Sequence, residues 1–110
     1  MLELFVSNKD FQKDESCLRT IISRSYYASF LHSREFLKIK HKLKSDTTDD
    51  HRWVWQKLND LGLDDQAKYL KFLKRKRLIS DYEINDHSLT LNLAKECIII
   101  SDKIIGSLKF

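Results

Sequence analysis

The sequence holds no proline and only two glycines, at positions 62 and 106, in 110 residues. Sandwiches and barrels need a turn-forming residue about every ten positions, so an all-β architecture is excluded and long helices are expected. The same scarcity removes the Gly-rich phosphate loops of the P-loop and dinucleotide types, which need closely spaced glycines for backbone to approach a phosphate. Cysteine is scarce too. Cys17 and Cys97 stand 80 positions apart in apolar stretches, with no C-x-x-C spacing and no neighbouring His pair that would suggest zinc. Both read as buried, reduced thiols, and no metal site and no cofactor are expected. A Ser-His-Asp order, paired carboxylates in an apolar setting and an H-E-x-x-H pattern are all missing, so protease, glycosidase and zinc-hydrolase readings have nothing to rest on. Finally, no apolar run reaches the roughly 18 residues of a membrane span, and MLELFVSNKDF lacks the cationic stretch and long apolar run of a secretory leader. No membrane association is expected, and a cytoplasmic protein follows.

What is present suits one soluble domain spanning residues 1–110: 42% of residues are apolar and 33% charged. Lysine and arginine number 20 against 16 acidic residues, giving +4 at pH 7 and a pI near 9.1. That excess permits contact with nucleic acid without demanding it.

The apolar pattern predicts an up-and-down antiparallel bundle of four to five helices. Leu2 to Asn8 is a short helix at best. From Asp14 or Ser16, residues Leu18, Ile21, Ile22, Ser25, Ser29 and Phe36 recur at helical spacing, with Tyr26, Phe30 and Leu37 on the flank, so the longest helix runs to about His41. A helix apolar over more than half its circumference packs on several sides and is central. Lys42 to Asp50 reads as the one real loop. A helix from Asp50 to Leu61 follows, with Gly62 as its left-handed terminator. Asp64 and Asp65 then open a helix to about Ile79. Asn85 or Asp86 caps a last one, carrying Leu89, Leu93, Ala94, Cys97, Ile98, Ile104 and Leu108.

The chemistry-bearing residues concentrate on the central helix, in Ser23-Arg24-Ser25-Tyr26-Tyr27-Ala28-Ser29-Phe30-Leu31-His32. Arg24, Ala28 and His32 form an i, i+4, i+8 row, with the Arg24 and His32 backbones about 12 Å apart at the α-helical rise. Action on one phosphate therefore requires either that both side chains lean inward or that a second protomer brings its own pair. The competing reading pairs Arg24 with a carboxylate such as Asp81 and leaves His32 as a satisfied core histidine. A second cluster, Lys68, Lys71, Lys74, Arg75, Lys76 and Arg77 with Tyr69 and Phe72 interleaved, reads either as a face for RNA backbone or as a solvated helix end. His51, before Trp53 and Trp55, is expected to stack on an indole. A further Arg-to-His spacing, Arg34 to His41, lies at the basic end of the long helix.

The Arg24 to Phe30 run resembles the signature of the small prokaryotic HEPN-domain proteins, whose long helix carries a similar Arg-x-Tyr-Tyr-Ala-x-Phe motif. His51 before an apolar helix and Arg77-Leu78-Ile79-Ser80-Asp81-Tyr82 are similar to further family features in the right order, as is the final Ala- and Ile-rich helix. The resemblance implies a helical bundle that homodimerises, often beside a minimal nucleotidyltransferase as its antitoxin. In many members it implies a metal-independent endoribonuclease. There an Arg and a His with four to six residues between them line the dimer cleft. His takes the proton of a ribose 2'-hydroxyl or protonates the leaving 5'-oxygen, and Arg stabilises the charged phosphate. Carried over, this makes Arg24 and His32 the catalytic pair, with Tyr27, His51, Arg77, Asp81 and Tyr82 binding RNA. The chain departs from the pattern at one place. Leu31 stands where a His would follow Arg24 after six residues, and His32 comes after seven, rotated by about 100°. A catalytically silent HEPN module that binds nucleotide, RNA or a partner through the same cleft is therefore the alternative, and a plain interaction bundle a third.

Overall fold

The computed structural model describes residues 15–44, 50–82 and 90–110. Among these residues all regular structure is helical: α1 (Glu15–Glu35), continued by a π-helical turn (Phe36–Lys40), α2 (Asp50–Asp60), α3 (Asp64–Tyr82) and α4 (Leu91–Ser107). The chain is an all-α bundle. It runs up α1, down α3 and up α4, with the short α2 leading into α3. The direction of each helix follows from its contacts: Arg19 meets Ser80 and Tyr27 meets Arg77, whereas Ser29 meets Ser101 and His32 meets Leu108. The short helix expected near Leu2 to Asn8 and the caps expected at Asn85 and Asp86 lie outside the described residues.

Local chemistry sets the boundaries. Gly62 takes φ +78°, and the bonds Gly62 N–H to Asn59 carbonyl (3.0 Å) and Leu63 N–H to Leu58 carbonyl (2.8 Å) close α2 in a Schellman motif. Asp64 and Asp65 open α3 against its N-terminal dipole. Thr90 caps α4, its hydroxyl accepting from the Leu93 N–H at 3.2 Å. The long helix expected as regular to His41 instead widens into the π turn. Its end is made by Lys42, at φ 54°, and by the Leu43 N–H reaching back to the Leu37 carbonyl.

The core forms around α1. Leu18, Ile21, Ile22, Tyr26, Phe30, Phe36 and Leu37 are buried against Trp53, Val54 and Leu58 of α2, Ala67, Leu70 and Leu73 of α3, and Ala94, Cys97, Ile98 and Ile104 of α4. Each large aliphatic or aromatic side chain taken fully from water contributes about 1.5–3 kcal/mol. Between α1 and α4 the buried positions are small and polar. Ser25, Ser29 and Ser33 each bond the carbonyl four residues back, at 2.7–2.9 Å, and Ser29 also bonds Ser101 across the helices at 2.8 Å. Short side chains let the two helices approach closely, and the back-bonds leave none of these hydroxyls unsatisfied. Cys97 is fully buried as expected, whereas Cys17 is half-buried.

A candidate phosphate-binding face on the central helix

Three of the singled-out segments converge beside α1. Tyr26 is fully buried and its hydroxyl hydrogen-bonds His51 Nδ1. The His51 ring stacks on Phe30 (centroids 4.3 Å, 20°) and on Tyr26 (5.6 Å, 16°) rather than on an indole. Position 51 lies in the first turn of α2 and faces α1, while Trp53 turns into the core, which explains the difference. From α3, Arg77 lays its guanidinium 4.7 Å over the Tyr27 ring and 5.9 Å from that of Tyr26. Tyr27 is edge-on to Tyr26 at 5.4 Å. Arg34 adds a second guanidinium, 5.7 Å over Phe30, and approaches the Asp50 carboxylate at 3.8 Å. The result is a ladder of rings and cations that ties α1 to α2 and α3.

Arg24 lies outside this ladder, on the exposed side of α1. It shares a shallow cleft of about 350 Å³ with Arg19, Thr20 and Ser23. Arg19 is held there by donating to the Ser80 carbonyl at 2.5 Å, near the C-terminal end of α3, where a cation is favoured. Two guanidiniums and two hydroxyls on successive turns form a donor set suited to a phosphate. Ser23 opens the segment singled out in the sequence, whereas Arg19 and Thr20 were not anticipated, although their i−5 and i−4 spacing from Arg24 was the available signal.

The structure does not bring Arg24 and His32 together. Eight residues apart on an α-helix, they project about 80° from one another. His32 is turned toward the end of α4, where Nε2 lies 2.6 Å from the Leu108 carbonyl and the ring stacks on Phe110 at 5.2 Å and 10°. A ring nitrogen bonded to a carbonyl must donate, so the neutral ring carries its proton on Nε2. The nitrogen at the tip of the side chain, which a general base would extend toward a ribose hydroxyl, is thus committed to the backbone. The position that does share the Arg24 face is Leu31, seven residues on and within about 20° of it. Leu31 is 44% exposed, and Tyr27 38%. The alternative pair Arg34 and His41 is separated as well, Arg34 against Phe30 and Asp50 and the exposed His41 edge-on to Phe36 at 5.0 Å. Asp81 and Tyr82 fall in the last turn of α3, and their side chains lie outside the described residues. Among the described residues no group of three or more His, Cys, Asp or Glu could hold a metal ion, and no helix is long and apolar enough to cross a membrane.

No protein-family model, no curated protein and no solved structure matches the chain.

Proposed function

We propose that the chain is a HEPN-type module that binds RNA through the outward face of α1 and does not cleave it. The observation that carries this reading is the exchange at positions 31 and 32. An exposed leucine stands on the Arg24 face, and the imidazole of His32, next to it in the sequence, donates its Nε2–H in a hydrogen bond to the Leu108 carbonyl. Binding does not require an imidazole, since phosphate contacts from Arg and hydroxyl donors supply most sequence-independent affinity. Arg24, with Arg19, Thr20 and Ser23, supplies that contact. Tyr27, backed by Arg77, stands about one turn further along α1. The role of His51 is to hold Tyr26 and Phe30, and so the pitch of α1, rather than to touch RNA. Tyr27, Ala28 and Leu31 form an exposed, mostly apolar strip along the same helix, and a second copy of the chain placed there would bury it and build a homodimer cleft with Arg24 at its rim.

The competing reading is an active, metal-independent endoribonuclease of a toxin–antitoxin pair, silenced by a nucleotidyltransferase-type antitoxin. The discriminating experiment is incubation with structured and single-stranded RNA in EDTA, using the parent protein, Arg24→Ala and His32→Ala. Expected are retarded complexes with the structured RNA that weaken at least tenfold in Arg24→Ala, no change in His32→Ala, and both RNAs intact throughout. Products ending in 2',3'-cyclic phosphate, lost in both variants, would establish the nuclease instead. Absence of both binding and cleavage would leave a partner-binding bundle.

A further inference from the structure

On the opposite side of α3 from Arg77 lies a cleft of about 640 Å³ between α2 and α4. Lys68, Lys71 and Arg75 form its cationic stripe. Their i, i+3, i+7 spacing keeps them within about 60° of one another over about 10.5 Å of helix. Arg77, two residues beyond Arg75, projects about 160° away, toward α1. Trp55 flanks the stripe from α2, and Tyr69 and Phe72 flank it from α3. Each ring already carries an ammonium: Lys74 stands 4.8 Å and Lys71 5.6 Å over Trp55, Lys76 5.3 Å over Phe72, and Lys103 6.0 Å over Tyr69. Among the described residues that line the cleft, Glu96 is the single carboxylate. The Trp55 N–H is buried with no acceptor among the described residues, so packing and cations, not a hydrogen bond, hold the indole.

We propose that this groove binds single-stranded nucleic acid, independently of the α1 face. Alternating π faces and mobile cations match the alternation of base and phosphate along a strand. Bases stack on rings with little regard to sequence, while lysines that rest on those rings swing out to phosphates. A duplex hides its base faces and cannot use the rings. An acidic polypeptide would engage the cations alone and gain nothing from Trp55, Tyr69 and Phe72, which is why a nucleic acid is favoured over a protein.

The test is a titration of the full chain with a single-stranded oligouridylate, followed by tryptophan fluorescence and repeated at several salt concentrations. Trp55 is half-buried and beside the stripe, whereas Trp53 is buried in the core, so quenching reports mainly on Trp55. Expected is quenching that largely disappears in Trp55→Phe. In the exposed-site variant Lys71→Ala/Arg75→Ala, affinity should fall at least tenfold. The slope of log K against log salt should shrink by about 1.4, two phosphate contacts at about 0.7 each for a single strand. Arg24→Ala should leave the quenching intact, which separates this groove from the α1 face. Unchanged affinity and slope in Lys71→Ala/Arg75→Ala would overturn the proposal. So would a polyglutamate that quenches Trp55 with equal affinity, since the groove would then be one for acidic polypeptides. Loss of oligouridylate binding in Arg24→Ala alone would place nucleic acid on α1 only.

Discussion

Phe30 and Leu31 are adjacent in sequence but about 100° apart on α1, and truncating each to alanine should have opposite consequences. Phe30 is 5% exposed, with His51 stacked at 4.3 Å, Tyr26 at 6.0 Å and the Arg34 guanidinium over its ring, whereas Leu31 is 44% exposed. Removing a buried phenyl ring costs about 3–5 kcal/mol through lost transfer energy and the cavity left behind. Truncating an exposed leucine stays within about 0.5 kcal/mol. In urea denaturation of dilute protein, with a slope of about 2 kcal/mol/M, Phe30→Ala should lower the midpoint by about 1.5–2.5 M and Leu31→Ala by about 0.25 M or less. Such a loss is a large share of the roughly 5–15 kcal/mol that holds a small domain, so Phe30→Leu serves as the milder companion if Phe30→Ala does not fold. The leucine variant keeps most of the volume and loses the ring stack, which predicts an intermediate shift. Equal midpoints for Phe30→Ala and Leu31→Ala would mean that α1 is rotated from the orientation described. At tens of micromolar the order should change in one respect only: Leu31→Ala should weaken self-association in sedimentation while leaving the dilute midpoint alone. If it leaves sedimentation unchanged, the apolar strip is not the dimer face.

Leu31→His places an imidazole within about 20° of Arg24, and EDTA-resistant RNA cleavage is expected to appear; a variant that binds RNA yet stays inert would show that more than the imidazole separates this chain from a nuclease. Burial pushes the Cys97 thiol up from 9.0 to about 12, with Glu96 adding to the rise and Lys76 opposing it. The unfolded chain therefore loses this proton first, so the contribution is intact below pH 9 and is lost as pH rises toward about 12, at about 1.4 kcal/mol per pH unit. Thermal melts from pH 8 to 11 should fall more steeply for the parent than for Cys97→Ala, and parallel curves would refute this assignment. Gly62→Ala meets no atom within 4 Å but must hold φ +78°, so a loss of about 1 kcal/mol, or about 4 °C in Tm, is expected from strain alone. An unchanged melting temperature would mean that the turn relaxes.

The elements legible in the sequence are those fixed by neighbours on the same helix. Spacing of Leu18, Ile21, Ile22, Tyr26 and Phe30 set the buried face of α1, and Ser25 and Ser29 belong to that face because their hydroxyls are satisfied by carbonyls one turn back. Gly62 and Asp64 marked the α2–α3 turn for equally local reasons, a left-handed residue and a helix N-terminus. Contacts between elements were not legible. Whether His51 stacks on an indole or on Phe30 depends on how α2 is rotated against α1, and nothing within residues 50–60 sets that angle. His32 is the sharper case. Its offset from Arg24 could be counted, but its partner, the Leu108 carbonyl, lies 76 residues away.

That distant partner also decides what a shifted histidine means. On an isolated helix the move from position 31 to 32 would merely redirect a mobile imidazole, and a flexible side chain spans part of an 80° offset. Here the ring is fixed twice, by a 2.6 Å hydrogen bond and by a stacked phenyl ring, so turning it toward Arg24 breaks both. A hydrogen bond of this kind contributes about 0.5–1.5 kcal/mol net, and the aromatic stack a similar amount. Their sum, about 1–3 kcal/mol, would leave about one molecule in six to one in 160 with the ring released. Release alone does not place the imidazole on the Arg24 face, which Leu31 occupies. On the reading proposed above the two positions therefore act in the same direction, and cleavage would require a change at 31 rather than liberation of 32. Phe110→Ala, which removes the stacking partner and frees the ring in part, should accordingly leave RNA uncut. Cleavage gained in Phe110→Ala and lost again in Phe110→Ala/His32→Ala would show that the tether, and not the helical offset, keeps the site silent.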